Sequence, residues 1–160
     1  MGVAGCGKSS LGQALAQALG RPYIEGDAYH SPDSIAKMRA GIALTDADRA
    51  GWLDQLGGLL AAAPGGAVLA CSALKRDYRE RLRRPVPGLR FVFLDISREL
   101  ALQRVAARAA QHLFPASLVD SQFAALESPV GEPGVLRVAA ELAPDQQLSQ
   151  ARAWLEGEGA

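Results

Sequence analysis

The stretch Gly2-Val3-Ala4-Gly5-Cys6-Gly7-Lys8-Ser9 constrains this chain most. It completes the pattern G-x-x-x-x-G-K-S and opens directly into a helical repeat of apolar residues, Leu11, Leu15, Ala18 and Leu19. Glycines at those places let backbone N–H groups converge on one point, where the amino end of the following helix adds partial positive charge. Such a cradle takes phosphate. Lys8 is placed to neutralise the terminal phosphates of a nucleoside triphosphate, and Ser9 to ligate the accompanying Mg²⁺. With Ser10, the loop residues Gly2, Val3, Ala4, Gly5, Cys6 and Gly7 complete the expected site for ATP and Mg²⁺. The plainer alternative is a glycine-rich turn before an ordinary helix.

The rest of the chain alternates as such a loop requires. Helix one stops at Gly20-Arg21-Pro22, and Pro22-Tyr23-Ile24-Glu25 reads as a strand ending in a polar loop, Gly26 to Pro32. Thr45-Asp46-Ala47-Asp48 has the form of a capping box and predicts a long helix from there to about Pro64. Ala67-Val68-Leu69-Ala70-Cys71 and Phe91-Val92-Phe93-Leu94 are apolar runs too short for helices, as strands buried on both faces require. Between them, Lys75 to Arg84 is charged enough to be a solvated helix. Ser97 caps a helix through Arg108, residues 111–129 carry no clear pattern, Val135 to Ala139 offers a last strand, and Pro144 opens a final helix. This order implies an α/β fold of the P-loop type, three layers α/β/α around a mostly parallel sheet. The first strand reads as truncated, because only Met1 precedes Gly2. Met1 is therefore expected to be internal to a longer native chain, preceded by about five apolar strand residues.

With 160 residues and 49% hydrophobic content, the chain suits one domain over residues 1–160. Lys+Arg and Asp+Glu both number 17, so no basic field draws the protein to nucleic acid or anionic lipid. No apolar run approaches the roughly 20 residues of a membrane span, and a cytoplasmic setting is expected. Cys6 and Cys71 are too few for a disulfide framework and suggest no metal site. Cys6, at the helix amino end, is a candidate for an activated thiol; a buried, inert one is the alternative.

Glu25-Gly26-Asp27-Ala28-Tyr29-His30 places two carboxylates and an imidazole where strand ends face the phosphate loop, the usual ligand side of such sheets. A hydroxyl acceptor needs a carboxylate that orients it and takes its proton, for which Asp27 is the candidate. Glu25 is the candidate for the metal shell, through bound water. The alternatives are an ordinary acidic loop and, for His30, a structural hydrogen-bond partner.

With these residues and those that follow, the chain resembles the bacterial gluconokinases, in three blocks. These are Gly26-Asp27 with His30; then Lys37-Met38, Gly41, Leu44, Asp46, Asp48-Arg49 and Trp52-Leu53; then Cys71-Ser72-Ala73-Leu74-Lys75 with Tyr78-Arg79. Ser121-Gln122-Phe123 and Leu126-Glu127 with Pro129 extend the likeness over nearly the whole chain. The resemblance implies a nucleoside- or shikimate-kinase-like fold, phosphorylation of D-gluconate at its 6-hydroxyl, and a homodimer. Gluconate is an anion with many hydroxyls, so its site needs a cation. Arg49 and Arg79 are the candidates for its carboxylate, with Ser72, His30 and Lys75 as further contacts in a segment of about 26–53 and the block that follows. The alternatives are a salt bridge from Arg49 to Asp46 or Asp48, surface charge for Arg79, and core packing for Trp52. Two other functions stay open: a related hydroxyl kinase such as one for shikimate, and a nucleotide-binding module without turnover.

Ala43 and Gly51 replace family prolines. The usual arginine-glycine-histidine-phenylalanine passage reads Ala109-Ala110-Gln111-His112-Leu113-Phe114 here. A lid over about 104–128 is expected, from which Arg104 and Arg108, four apart on one helical face, reach the transferring phosphoryl group. The alternative is an exposed pair on a solvated helix.

Overall fold

The computed structural model describes residues 1–107 and 117–157. In chain order the elements are α1 (Lys8–Leu19), β1 (Tyr23–Glu25), a 3-10 turn (Gly26–Tyr29), α2 (Pro32–Arg39) and α3 (Asp46–Ala61). There follow β2 (Val68–Ala70), α4 (Arg76–Arg83), β3 (Phe91–Asp95), α5 (Arg98–Ala107), α6 (Ser117–Ala125), β4 (Val135–Ala139) and α7 (Pro144–Gly157).

Local chemistry sets the helix ends. Gly7 enters α1 with φ of 99°, a left-handed conformation that a side chain would strain, and Gly20 leaves it with its N–H turned back to the Ala16 and Gln17 carbonyls. At α3 the predicted capping box is present: the Asp48 N–H donates to Thr45 Oγ1, and the Thr45 N–H donates to the Asp48 carboxylate. Ser97 caps α5 through the Leu100 N–H, as expected. Two helices fall where no pattern was read. Helix α2 begins with Pro32 in its first turn and Ser31 accepting from the Ser34 N–H, a start signal hidden in a polar stretch. Helix α6 lies inside the unpatterned residues 111–129.

Strands β1 and β2 pair in parallel, Tyr23 opposite Val68 and Glu25 opposite Ala70, and β3 and β4 pair in parallel, Phe91 opposite Val135 and Asp95 opposite Ala139. Met1 and Gly2 run between the two pairs. The Met1 amine donates to the Val92 carbonyl at 2.7 Å, the Leu94 N–H donates to the Met1 carbonyl at 3.0 Å, and the Gly2 N–H donates to the Ser72 carbonyl at 3.2 Å. These hydrogen bonds tie the start of the phosphate loop to β3 and to the segment after β2.

One apolar core gathers Val3, Cys6 and Leu11 with Leu94, Val105, Val119 and Val138; the other gathers Trp52, Leu53 and Leu56 with Tyr78, Leu82 and Phe91. Helices α1 and α7 pack on each other and on the strands, and α3 packs on α4, so helices cover the strands in layers. Helix α4 corrects the sequence reading of residues 75–84: Tyr78, Arg79 and Leu82 are buried in it.

Gly26 starts the 3-10 turn so close to β2 that a Cβ there would stand 2.5 Å from the Ala70 carbonyl oxygen. Because backbone atoms cannot swing aside, Gly26→Ala is expected to cost about 1–3 kcal/mol, read as a lower urea midpoint. An unchanged midpoint would refute the close approach.

Candidate active site

The carboxyl ends of β1 and β2, the phosphate loop and the first turns of α2 and α3 surround a cavity of about 410 Å³. Its floor is the loop, through Ala4, Gly5, Gly7, Lys8, Ser9 and Ser10. Around the wall stand Glu25, Asp27, His30, Arg49, Ser72 and Arg104. These are most of the residues singled out from sequence.

The loop fits a phosphate chain. Gly5 and Gly7 have positive φ, nothing lies within 4 Å of where a Gly7 Cβ would stand, and the first turn of α1 holds no acidic residue to oppose an anion. The Lys8 ammonium donates to the Val3 carbonyl at 3.0 Å, which arches its side chain over the loop. Gly2, Val3 and Cys6 do not line the cavity. Val3 and Cys6 turn into the core at 1% exposure, so only the backbone of this part can serve a ligand. That burial also removes Cys6 from reagents, and Cys71 is equally inert, its thiol pushed up to about 12 by burial.

Beside Ser9, the Tyr23 hydroxyl donates to the Glu25 carboxylate at 2.6 Å and also contacts the Ser9 hydroxyl. Burial and the Glu25 hydrogen bond keep Tyr23 protonated far above its ordinary range. The bond fixes Glu25 next to Ser9, where the metal shell was expected. Among the described residues no cluster of three or more His, Cys, Asp or Glu side chains could hold a metal by itself.

Asp27 projects from the turn, its side chain 73% exposed, with His30 Nε2 3.7 Å away. His30 is held flat against Trp52, ring centroids 4.2 Å apart, while Trp52 Nε1 donates to the Gly26 carbonyl at 2.8 Å. Trp52 is therefore core and cavity wall at once. The Nδ1 atom of His30 is buried and has no hydrogen-bond partner among the described residues.

The three cations proposed for an anionic acceptor separate sharply. Lys75 is committed to Asp46, at 2.8 and 2.9 Å to its two oxygens, and does not reach the cavity. Arg79 is fully buried and every guanidinium N–H is engaged: Nε and Nη2 with Glu132, Nη1 with the Ala73 and Leu74 carbonyls, and Nη2 also with the Glu127 carbonyl. Neither the substrate role nor the surface role expected of Arg79 holds, because its donors are spent on the loop that carries Ser72. Ala73 in that loop has φ of 46°, a left-handed conformation costly to a side-chain residue, and Arg79 braces it.

Arg49 differs. Asp46 pairs with Lys75 and Asp48 with Lys37 at 2.7 Å, so the salt bridge considered for Arg49 does not form. It uses only Nη1, on the Leu44 and Thr45 carbonyls, and lies 5.7 Å over the Tyr78 ring. Its charge faces the cavity without a carboxylate among the described residues.

Arg104 lines the cavity but is held by the Gly5 and Ala140 carbonyls, at 3.4 and 3.0 Å. Arg108 and the altered passage from Ala109 to Phe114 lie outside the described residues. Sequence reasoning assigned no role to Gln122, whose Oε1 accepts from the Ala4 N–H at 2.6 Å and ties α6 to the phosphate loop. The Ser121-Gln122-Phe123 run was the available signal. Ile35 and Met38 of α2, also in the wall, were hidden with that helix.

Comparison with known proteins agrees with this geometry. The family model described as Shikimate kinase matches residues 4–126. A gluconokinase of Gluconobacter oxydans (strain 621H) is 45% identical over 153 residues, spanning 94% of this chain and 85% of that protein. The crystal structure of a gluconokinase from Sinorhizobium meliloti 1021 superposes with a TM-score of 0.89 at 45% identity, over 98% of this chain and 89% of the other. An APS kinase of Mycobacterium tuberculosis, 22% identical with a TM-score of 0.67 over 98% of this chain and 94% of its own, shares the fold.

Two outcomes follow from the charge pairing. Arg79→Ala empties a fully buried site, strips the Ala73, Leu74 and Glu127 carbonyls of their donor and leaves the half-buried Glu132 with only Arg83, at 3.6 Å; it is expected to destabilise the fold by about 3–5 kcal/mol in urea unfolding; a loss below about 1 kcal/mol would place Arg79 at the surface. Asp48 is held at about 2 by Lys37 and by the Thr45 N–H. Its folded value lies below the ordinary one, so its strap to α2 is intact above about pH 4 and is lost as pH falls through about 2. A carboxyl-carbon NMR titration should show that midpoint, and Lys37→Ala should move it upward.

Proposed function

Because this chain belongs to the gluconokinase family, within the wider shikimate kinase family, we propose that it transfers the γ-phosphoryl group of ATP to the 6-hydroxyl of D-gluconate. One observation carries the reading: a single cavity holds Lys8, Asp27 and an Arg49 whose acidic neighbours are all paired elsewhere. A guanidinium with no carboxylate partner among the described residues, beside Asp27 and a phosphate loop, suits an acceptor that has both a carboxylate and a primary hydroxyl.

Bound ATP with Mg²⁺ supplies the phosphoryl group and part of the charge neutralisation. Lys8 and the loop N–H groups hold the phosphate chain, while Ser9 and, through water, Glu25 face the metal. Arg49 takes the gluconate carboxylate through parallel hydrogen bonds; Ser72 and His30, whose Nδ1 lacks a partner among the described residues, take hydroxyls. Asp27 orients the 6-hydroxyl and accepts its proton as the oxygen–phosphorus bond forms and the bond to ADP breaks. Arg104 braces the loop through the Gly5 carbonyl; in this reading Arg104 and Arg108 serve the transferring phosphoryl group, and the segment of about 104–128 is the candidate lid. A cytoplasmic setting, from the sequence, and a homodimer, from the family resemblance, belong to this reading; among the described residues no helix is long and apolar enough to cross a membrane.

A shikimate acceptor is less favoured, because relatives 45%, 41% and 39% identical to this chain and a solved structure 45% identical to it carry the gluconokinase name. In a coupled assay, ADP release should depend on gluconate and not on shikimate. Asp27→Asn should lower kcat by about 10²–10⁴-fold. Arg49→Ala should raise the KM for gluconate by roughly tenfold or more and leave that for ATP unchanged. Turnover with shikimate in place of gluconate would overturn the assignment.

A further inference from the structure

Strand β1 alternates its side chains, so Tyr23 and Glu25 share one face while Ile24 takes the other, against the core of Trp52, Leu53 and Leu56. The shared face meets α1 at a glycine. A Cβ on Gly12 would stand 2.8 Å from Tyr23 Cε2, closer than atoms pack. Gly12 lies inside α1, where glycine weakens a helix, and what its bare backbone allows is the approach of this ring. Ser9 stands three residues before Gly12, on the same face of α1. Lying along that face, the ring brings one hydroxyl to both Ser9 and Glu25.

The protons can be assigned, because a phenol has only one to give. It goes to Glu25 Oε2, at 2.6 Å, since a carboxylate can only accept. The Tyr23 oxygen is then an acceptor toward Ser9, and the Ser9 hydroxyl must point its proton at Tyr23. Its lone pairs are left for the cavity that Ser9 and Glu25 both line. A hydroxyl ligates a cation through a lone pair, so a neighbour that takes its proton sideways turns it into a ready ligand.

We propose that Tyr23 is a positioning residue for the Mg²⁺ that accompanies the nucleotide: it sets the direction of the Ser9 hydroxyl and pins the Glu25 carboxylate beside it. The inference rests on the metal role of Ser9 and Glu25 given above and does not involve the acceptor. Tyr23 touches neither phosphate nor cation and acts only through these two residues. Gly12 belongs to the same device, as the place where the ring is admitted.

The test measures binding of a fluorescent ATP analogue in excess Mg²⁺ and again in EDTA. Tyr23→Phe keeps the ring on Gly12 and removes only the hydroxyl. It should weaken binding in Mg²⁺ by about tenfold, the loss typical when an outer partner of a metal ligand is removed, and change binding in EDTA by less than about twofold. Ser9→Ala, which removes the other end of the hydrogen bond, should show the same selectivity for Mg²⁺. Combined, the two substitutions should cost less than the product of their single effects, because they break one shared hydrogen bond. Unchanged binding of the Tyr23→Phe protein in Mg²⁺ would overturn the proposal. So would equal weakening in Mg²⁺ and EDTA, the mark of a purely structural tyrosine, or a double substitution whose cost is the full product. Gluconate takes no part in the measurement, so a wrong acceptor would leave its result standing. Wild-type binding that ignores Mg²⁺ would overturn the metal assignment and this proposal together.

Discussion

Backbone N–H groups that converge on one point repel one another, and everything chemical in this fold depends on holding them together. The phosphate loop is tied from several directions. Gly2 bonds to Ser72, Met1 to both Val92 and Leu94, Ala4 to Gln122 of α6, and Gly5 to Arg104 of α5. Val3 and Cys6 anchor its underside in the core. Each tie comes from a different element, so the strands, α5 and α6 all bear on the position of Lys8 and of the amino end of α1.

A second constraint is the distribution of charge. The chain has equal numbers of basic and acidic groups, and its structure pairs them selectively. Asp46 goes to Lys75, Asp48 to Lys37, and Glu132 to Arg79, leaving Arg49 facing the cavity. The pairs do structural work: Lys75 and Lys37 fasten the start of α3, and Arg79 holds the strained turn at Ala73 beside Ser72. Positive charge in the site is therefore what remains after neighbouring acids are satisfied.

Much of this was legible in residue order because the signals are local. The glycine pattern, the Thr45–Asp48 capping box, the Ser97 cap and the apolar runs at β2 and β3 each act within a few residues. Their ends shifted inward, α3 closing at Ala61 rather than near Pro64 and β2 spanning only Val68–Ala70. Long-range choices were not legible. Nothing near Arg79 reveals Glu132, its partner 53 positions away, so a buried brace read as a surface or substrate-facing arginine. Lys75 was misread for the same reason, since Asp46 lies 29 positions upstream. Helix α2 was missed because Ser31, Pro32 and Asp33 favour a turn as readily as a helix start.

Phosphorus NMR of the purified protein with ATP and Mg²⁺, with and without D-gluconate, tests the central claim most directly. The account predicts that the γ-phosphate resonance gives way to one phosphomonoester signal, coupled to the protons on carbon 6, only when gluconate is present. Release of inorganic phosphate at the same rate without gluconate, or ATP left intact in its presence, would contradict it.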